Sequence, residues 1–346
     1  MPHAAALPED PRAGAADAWL HAVLATLDEN LEEDPAPLAG DAGRRRYRRL
    51  HTDRGPRLLV DAPPETEDSL AWLAVGAWLR RHALGAPAVL AADPAAGHLL
   101  VEDLGETTLA RAVADAPPAR VDALYRRVLD VLVALQRAGL ADPPALPAYD
   151  RARLREETHR FRRWFAEGLL DLAVPEPLFD ALVEELAEAS LAAPRVVTHL
   201  DWHSRNLLVG EDDRIGIVDF QDARSGPAAY DVVSLLRDCY LRWSEADEAR
   251  WLAHYLDRAR EAGIPGTDDE ATFRRCYGLC GIQRHLKALG IFARLQLEEG
   301  RGMHLRDAPR VLDHLSSALP AFPETRALGA WFEATLRPAF ARRATA

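Results

Sequence analysis

The chain has 346 residues, 48% of them hydrophobic, and a formal charge of −12. That length and apolar content suffice for one large domain or two lobes, while the acidic balance argues against nucleic-acid binding through a general positive field. No apolar run is long enough to span a bilayer, and Met1-Pro2-His3-Ala4 lacks the basic and apolar regions of a signal peptide, so a cytoplasmic protein with no membrane partner is expected.

Residues 1–16 are rich in Ala and Pro and are expected to be poorly ordered. Asp17 is placed to cap a helix through about Leu31, with Trp19, Leu20, Val23, Leu24 and Leu27 at helical spacing. After Asp34-Pro35, Gly40–Arg46 reads as a glycine-containing turn. It leads into a strand over Tyr47–Thr52, the turn Asp53-Arg54-Gly55 and a strand at Leu58–Val60. A helix is expected from Thr66 to about Leu84, with Leu70, Leu73, Ala74, Ala77 and Trp78 on one face and Glu65, Glu67 and Asp68 suiting its N-terminal dipole. Strands at Ala88–Ala91 and His98–Val101 follow, the second ending in Glu102-Asp103-Leu104-Gly105. From Thr107 the periodicity is mostly helical: Val121–Leu135, Leu154–Leu170, Leu178–Leu191, Val232–Leu241, Trp251–Ala262, Phe273–Leu297, Val311–Leu319 and Trp331–Leu336. Cys239, Cys276 and Cys280 make no disulfide framework, and Cys276 and Cys280 would share a helix face as core residues.

One hairpin interrupts the helices. Leu207–Val209 and Ile215–Val218 flank the polar turn Gly210–Arg214 and read as buried strands. His199-Leu200-Asp201 precedes the first strand, Asn206 follows Asp201 by five residues, and the second strand ends in Asp219-Phe220. Phosphoryl transfer needs such groups. Asp201 would be the base that orients an attacking hydroxyl, Asn206 and Asp219 the hard oxygen ligands of magnesium on nucleotide phosphates, and His199 a brace for the loop. Asp222 would approach substrate or a second ion, or form an Asx turn. Asp231, at the start of the next helix, would pin the loop.

The string His199-Leu200-Asp201-Trp202-His203-Ser204-Arg205-Asn206 resembles the catalytic motif of aminoglycoside phosphotransferases and choline kinases. Several further strings resemble a narrower group, the anomeric N-acetylmuramate/N-acetylglucosamine kinases of peptidoglycan recycling. They are Val218–Ala223, Gly226-Pro227, Tyr230–Tyr240, Val60–Glu65, Glu102–Gly105 and Gln283–Lys287, so that the resemblance spans nearly the whole chain after about Arg44. It implies an α+β, two-lobed, protein-kinase-like fold. Residues 1–104 would be an antiparallel-sheet nucleotide-binding lobe, and 105–346 a helical lobe with the catalytic loop and substrate site. It implies ATP and Mg²⁺ as cofactors and a small amino sugar as acceptor, phosphorylated on its anomeric hydroxyl. Glu102 and Leu104 would form a hinge whose exposed backbone edge meets the adenine.

Kinases of the wider pattern place a lysine of the small lobe on the phosphates, but Lys287 is the only lysine here. The narrower group resembles this chain in that absence. Arg46 or Arg48, and less so Arg44, would take the lysine's part, since a guanidinium can hold two phosphate oxygens. His203, Arg205, Asp222, Arg284, His285 and Lys287 are the candidate substrate contacts, the last three either lining the sugar pocket or forming a solvated face. Three other readings stay open: an aminoglycoside acceptor, a non-catalytic nucleotide-binding module, and a hydrolase with His199, Asp201 and His203 on a first-row metal. No feature of the sequence sets an oligomeric state.

Overall fold

A computed structural model describes residues 11–38 and 45–344. The disorder expected of residues 1–16 does not hold for residues 11–16, which are helical, and its first ten residues, like the glycine turn of residues 40–44 with Arg44, lie outside the described residues. The chain divides into two compact units, Met1–Gly105 and Glu106–Ala346.

The first unit runs α1 (Pro11–Leu27), β1 (Ala36–Leu38), β2 (Arg46–Thr52), β3 (Gly55–Asp61), α2 (Ser69–Arg81), β4 (Val89–Asp93) and β5 (His98–Glu102). The strands form one antiparallel sheet in the order β1-β2-β3-β5-β4. Leu50, Leu59 and Leu100 of the sheet bury against Ala16, Leu20 and Leu24 of α1. That helix spans Pro11–Leu27, so Asp17 is interior rather than a cap, and it ion-pairs with Arg48 of β2 at 2.6 Å. The helix stops at Leu27, because Asp28 takes φ +54°. Asp68 caps α2 by accepting from the Ala71 amide at 2.9 Å. Its buried face is Trp72, Val75, Trp78 and Leu79, whereas Leu70 is 67% exposed. An Ala-rich helix offers two competing stripes, and the bulkier one removes more apolar area from water. Strand β5 lies inside the sheet, and the Glu102 amide donates to the Ala88 carbonyl at 2.8 Å. The exposed edge expected at Glu102 is therefore absent, and only the chain beyond it leaves the sheet.

The second unit is helical: α3 (Leu109–Val113), α4 (Pro118–Ala141), α5 (Arg151–Arg160), α6 (Glu176–Ala192), α7 (Ala229–Leu236), α8 (Glu245–Glu261), α9 (Glu270–Glu299), α10 (Ala308–Ala318), α11 (Arg326–Trp331) and α12 (Arg337–Ala344). A π-helical segment, Phe161–Leu169, continues α5, and another, Phe332–Leu336, joins α11 to α12. Two small sheets interrupt the helices: β6 (Arg195–Thr198) pairs with β9 (Arg224–Pro227), and β7 (Leu207–Val209) with β8 (Ile215–Ile217). The expected hairpin is present, in the register Leu207↔Ile217 and Val209↔Ile215.

Helix α9 organises this unit. A Cβ on Gly290 would lie 2.6 Å from the Arg160 carbonyl carbon and 2.7 Å from the Phe161 amide. Only glycine lets α9 approach the end of α5 so closely, and that approach brings Lys287 of α9 to Glu157 of α5. Helix α7 stops at Leu236, short of the expected Leu241. Cys239, Cys276 and Cys280 are unbridged and buried. Among the described residues no helix is long and apolar enough to cross a membrane.

Candidate active site

The segment between β6 and β7 hangs on two buried carboxylates. Asp231 of α7 accepts the His199 amide at 2.6 Å and the Leu200 amide at 2.9 Å. These bonds hold Leu200 at φ +69°, a left-handed conformation that costs a leucine about 1–3 kcal/mol. Asp238 accepts the amides of Ser204 and Tyr240, both at 2.8 Å. The buried His199 ring bonds the Val218 carbonyl through Nε2 at 3.0 Å, tying the loop to the end of β8.

On this frame Asp201 is one-third exposed (32%), with the Lys287 ammonium 3.6 Å from its Oδ1. Desolvation pushes the Asp201 carboxyl up, but Lys287, His203, Arg284 and His199 together outweigh it and hold it well below the usual carboxylate range. Asp201 is thus an ionised acceptor, poised to receive a hydroxyl hydrogen bond. The Asn206 Nδ2 donates to the Asp201 carbonyl at 3.1 Å and lies 3.4 Å from Asp219 Oδ2. Asp219, at φ +63°, is exposed, and its Oδ1 accepts from Gln221 Nε2 at 2.8 Å. An amide and a carboxylate side by side form a hard-oxygen pair that suits Mg²⁺ and leaves most of its shell to phosphate and water. Among the described residues no three His, Cys, Asp or Glu side chains form a metal-binding group. His199, whose Nε2 is on the Val218 carbonyl, therefore does not join Asp201 and His203 in a metal centre.

The candidate substrate contacts separate. His203 is buried, which depresses its ring to about 4; its Nδ1 accepts from the Arg205 amide at 3.3 Å and its ring meets Tyr240 edge-on. Arg205 lies 3.6 Å over the Tyr240 ring and pairs with Asp307 at 3.3 Å. Asp222 is exposed and contributes to the field at Arg153. The solvated-face alternative for Arg284, His285 and Lys287 fails, for they are 4%, 1% and 7% exposed. Arg284 Nη1 donates to Cys239 Sγ at 3.0 Å. His285 bonds the Arg237 carbonyl through Nε2 at 2.9 Å and stacks on His314, so its ring is turned to the protein interior. Lys287 bridges two carboxylates, Asp201 and Glu157, the latter at 3.7 Å.

Sequence reasoning missed Glu157. It is wholly buried, with Oε1 accepting from Arg153 Nε at 2.6 Å and Oε2 from the Tyr149 hydroxyl (2.9 Å) and Gln283 Nε2 (3.3 Å). Burial raises its carboxyl, but Lys287 and Arg153 more than offset this and leave it below its ordinary value. The signal was present: Leu154, Glu157, Phe161 and Phe165 fall on one helical stripe, and a lone charge on an apolar stripe needs a buried partner.

The remaining candidates lie in the sheet unit. Arg46 is half exposed (52%) and 4.0 Å from Asp61, while Arg48 is held by Asp17. Glu102 Oε2 accepts the Ala88 amide at 3.0 Å and pairs with Arg80 at 3.6 Å. Leu104 follows β5, half-buried.

The phosphotransferase enzyme family matches residues 34–273. The N-acetylmuramate/N-acetylglucosamine kinase of Pseudomonas aeruginosa is 35% identical over 330 residues, covering 93% of this chain and 96% of the relative. Its namesake from Pseudomonas putida is 33% identical over 321 residues, covering 90% and 93%. The choline kinase crystal structure from Streptococcus pneumoniae aligns with a TM-score of 0.62 at 14% identity, over 88% of this chain and 99% of that one, a likeness of fold. With nearly its whole length matched, an α+β kinase-like fold, and an Asp-Asn-Asp constellation on one braced hairpin, the chain belongs to the phosphotransferase enzyme family.

Proposed function

We propose that this chain transfers the γ-phosphate of ATP to the anomeric hydroxyl of N-acetylmuramate or N-acetylglucosamine, giving the sugar 1-phosphate, in the cytoplasm. The observation that carries the reading is the ionised Asp201 beside the Asn206–Asp219 pair, in a chain 35% identical to a kinase named for those sugars. The Asp201 carboxylate accepts a hydrogen bond from the sugar hydroxyl and aligns its oxygen for in-line attack. Because Asp201 is a weak base, the proton reaches it late, as the bond to phosphorus forms. An anomeric hydroxyl is more acidic than an ordinary alcohol and suits such a base.

Asn206 and Asp219 would hold Mg²⁺, which when bound offsets charge on the phosphates. The sheet unit is the nucleotide-binding lobe, with Arg46 or Arg48 as phosphate contacts and the backbone at Leu104, beyond the end of β5, toward the adenine. Lys287 and Arg284 place positive charge at the base, which disfavours a polycationic aminoglycoside and favours a neutral or anionic acceptor.

Incubation with ATP, magnesium and a panel of amino sugars, read by phosphorus NMR, tests this. A signal coupled to the anomeric proton is expected. Phosphate on the 6-hydroxyl, or transfer only to aminoglycosides, would overturn the reading.

A further inference from the structure

Two cations with permanent charge act on Asp201 directly, and both are committed. Lys287 lies between the carboxylates of Asp201 and Glu157, and Arg284 is 4% exposed with Nη1 on a buried cysteine sulfur. Arg153 differs. Its Nε donates to Glu157 Oε1 at 2.6 Å, and among the described residues its side chain makes no other hydrogen bond. The side chain is 25% exposed, at the first turn of α5, where Asp150 caps the helix by accepting the Arg153 amide.

The guanidinium is thus anchored at Nε with both terminal amino groups uncommitted. A planar fork fixed in that way matches a carboxylate bidentately, with little side-chain freedom left to lose. Its place is set by shared partners: Glu157 Oε1 contacts both Arg153 Nε and Lys287 Nζ, and Lys287 reaches Asp201 Oδ1. Arg153 is therefore two ion-pair links from the proposed base. The other charges felt there are Asp222 and Glu156, both exposed, so solvent screens their repulsion of an incoming anion.

We propose that Arg153 forms a carboxylate subsite beside the acceptor position and favours a sugar bearing an acidic side arm over its neutral counterpart. This rests on the amino-sugar kinase reading above. N-acetylmuramate carries a lactyl carboxylate that N-acetylglucosamine lacks, so the two sugars differ in the group that Arg153 would bind.

The test is kcat/KM on both sugars for the wild type, Arg153→Gln and Arg153→Lys. Arg153→Gln is expected to lose about ten- to a hundredfold on N-acetylmuramate, mainly through KM, with N-acetylglucosamine unchanged. Arg153→Lys, which keeps a cation beside Glu157 and guards against misfolding, should recover part of the preference without the bidentate grip. Equal losses on both sugars in both variants would make Arg153 a structural partner of Glu157 and overturn the inference. So would an unchanged preference. A wild type inactive on both sugars would instead overturn the functional reading, and this inference with it.

Discussion

Lys287→Met strikes the point where stability and catalysis meet. The Lys287 side chain is 8% exposed, and its ammonium lies 3.7 Å from a wholly buried Glu157 and 3.6 Å from Asp201. Breaking a buried ion pair costs about 3–5 kcal/mol, because the surviving charge is left uncompensated. Glu157 keeps Arg153, Tyr149 and Gln283, which places the expected loss near the lower end, about 3 kcal/mol. Adding Glu157→Gln removes the stranded charge, so the double variant should regain a good part of that loss. Urea unfolding of the wild type, both single variants and the double variant measures the coupling. For catalysis, a close pair at an effective dielectric near 20 interacts by about 4 kcal/mol. The one-third exposure of Asp201 screens this to about 1–2 kcal/mol, or roughly tenfold in turnover. The loss should fall equally on both sugars, since Lys287 acts through Asp201. Additive stability costs in the cycle, or a loss confined to N-acetylmuramate, would refute the bridging role.

Asp219→Ala should raise the magnesium concentration for half-maximal rate and weaken nucleotide affinity with it, as seen in a metal titration; unchanged magnesium dependence would remove Asp219 from the ligand set. Arg46→Met should raise the KM for ATP more than Arg48→Met, because the Arg46 side chain is the more exposed, 52% against 25%; the reverse order would assign the phosphates to Arg48. Burial lifts the Asp231 carboxyl to about 7, against the pull of the His199 and Leu200 amides. Since the folded value lies above the unfolded one, the stability it contributes is full below about pH 4 and is lost as pH rises through about 7. Thermal melts across that window should show the decline in the wild type and a flatter curve in Asp231→Asn; parallel curves would assign the slope to another group.

Local pattern carried the hairpin and most helices into view, because β7, β8 and α9 have strong periodicity and the Asp201–Asn206–Asp219 spacing lies on consecutive elements. The Asp231 clamp on the loop was also legible, from a carboxylate at a helix start. Long-range pairing was not. Strand β6 meets β9 through Val196↔Gly226, and a Cβ on Gly226 would sit 2.8 Å from Thr198 Oγ1, a close approach no local rule announces. The face of α2 was misread because Leu70 and Trp72 compete on an Ala-rich helix. Arg153 and Glu157 were overlooked since two opposite charges four residues apart usually mark a solvated helix face. Their burial against α9 comes from Gly290 and the Lys287 ammonium, far along the chain.

The central claim is that Asp201 orients and deprotonates the acceptor hydroxyl, and Asp201→Asn tests it most directly. An amide of the same shape cannot take the proton, so turnover on N-acetylmuramate and N-acetylglucosamine should fall by about 10²–10⁴-fold, while ATP binding measured by calorimetry stays at the wild-type value. Near-normal turnover in the folded variant would contradict the account.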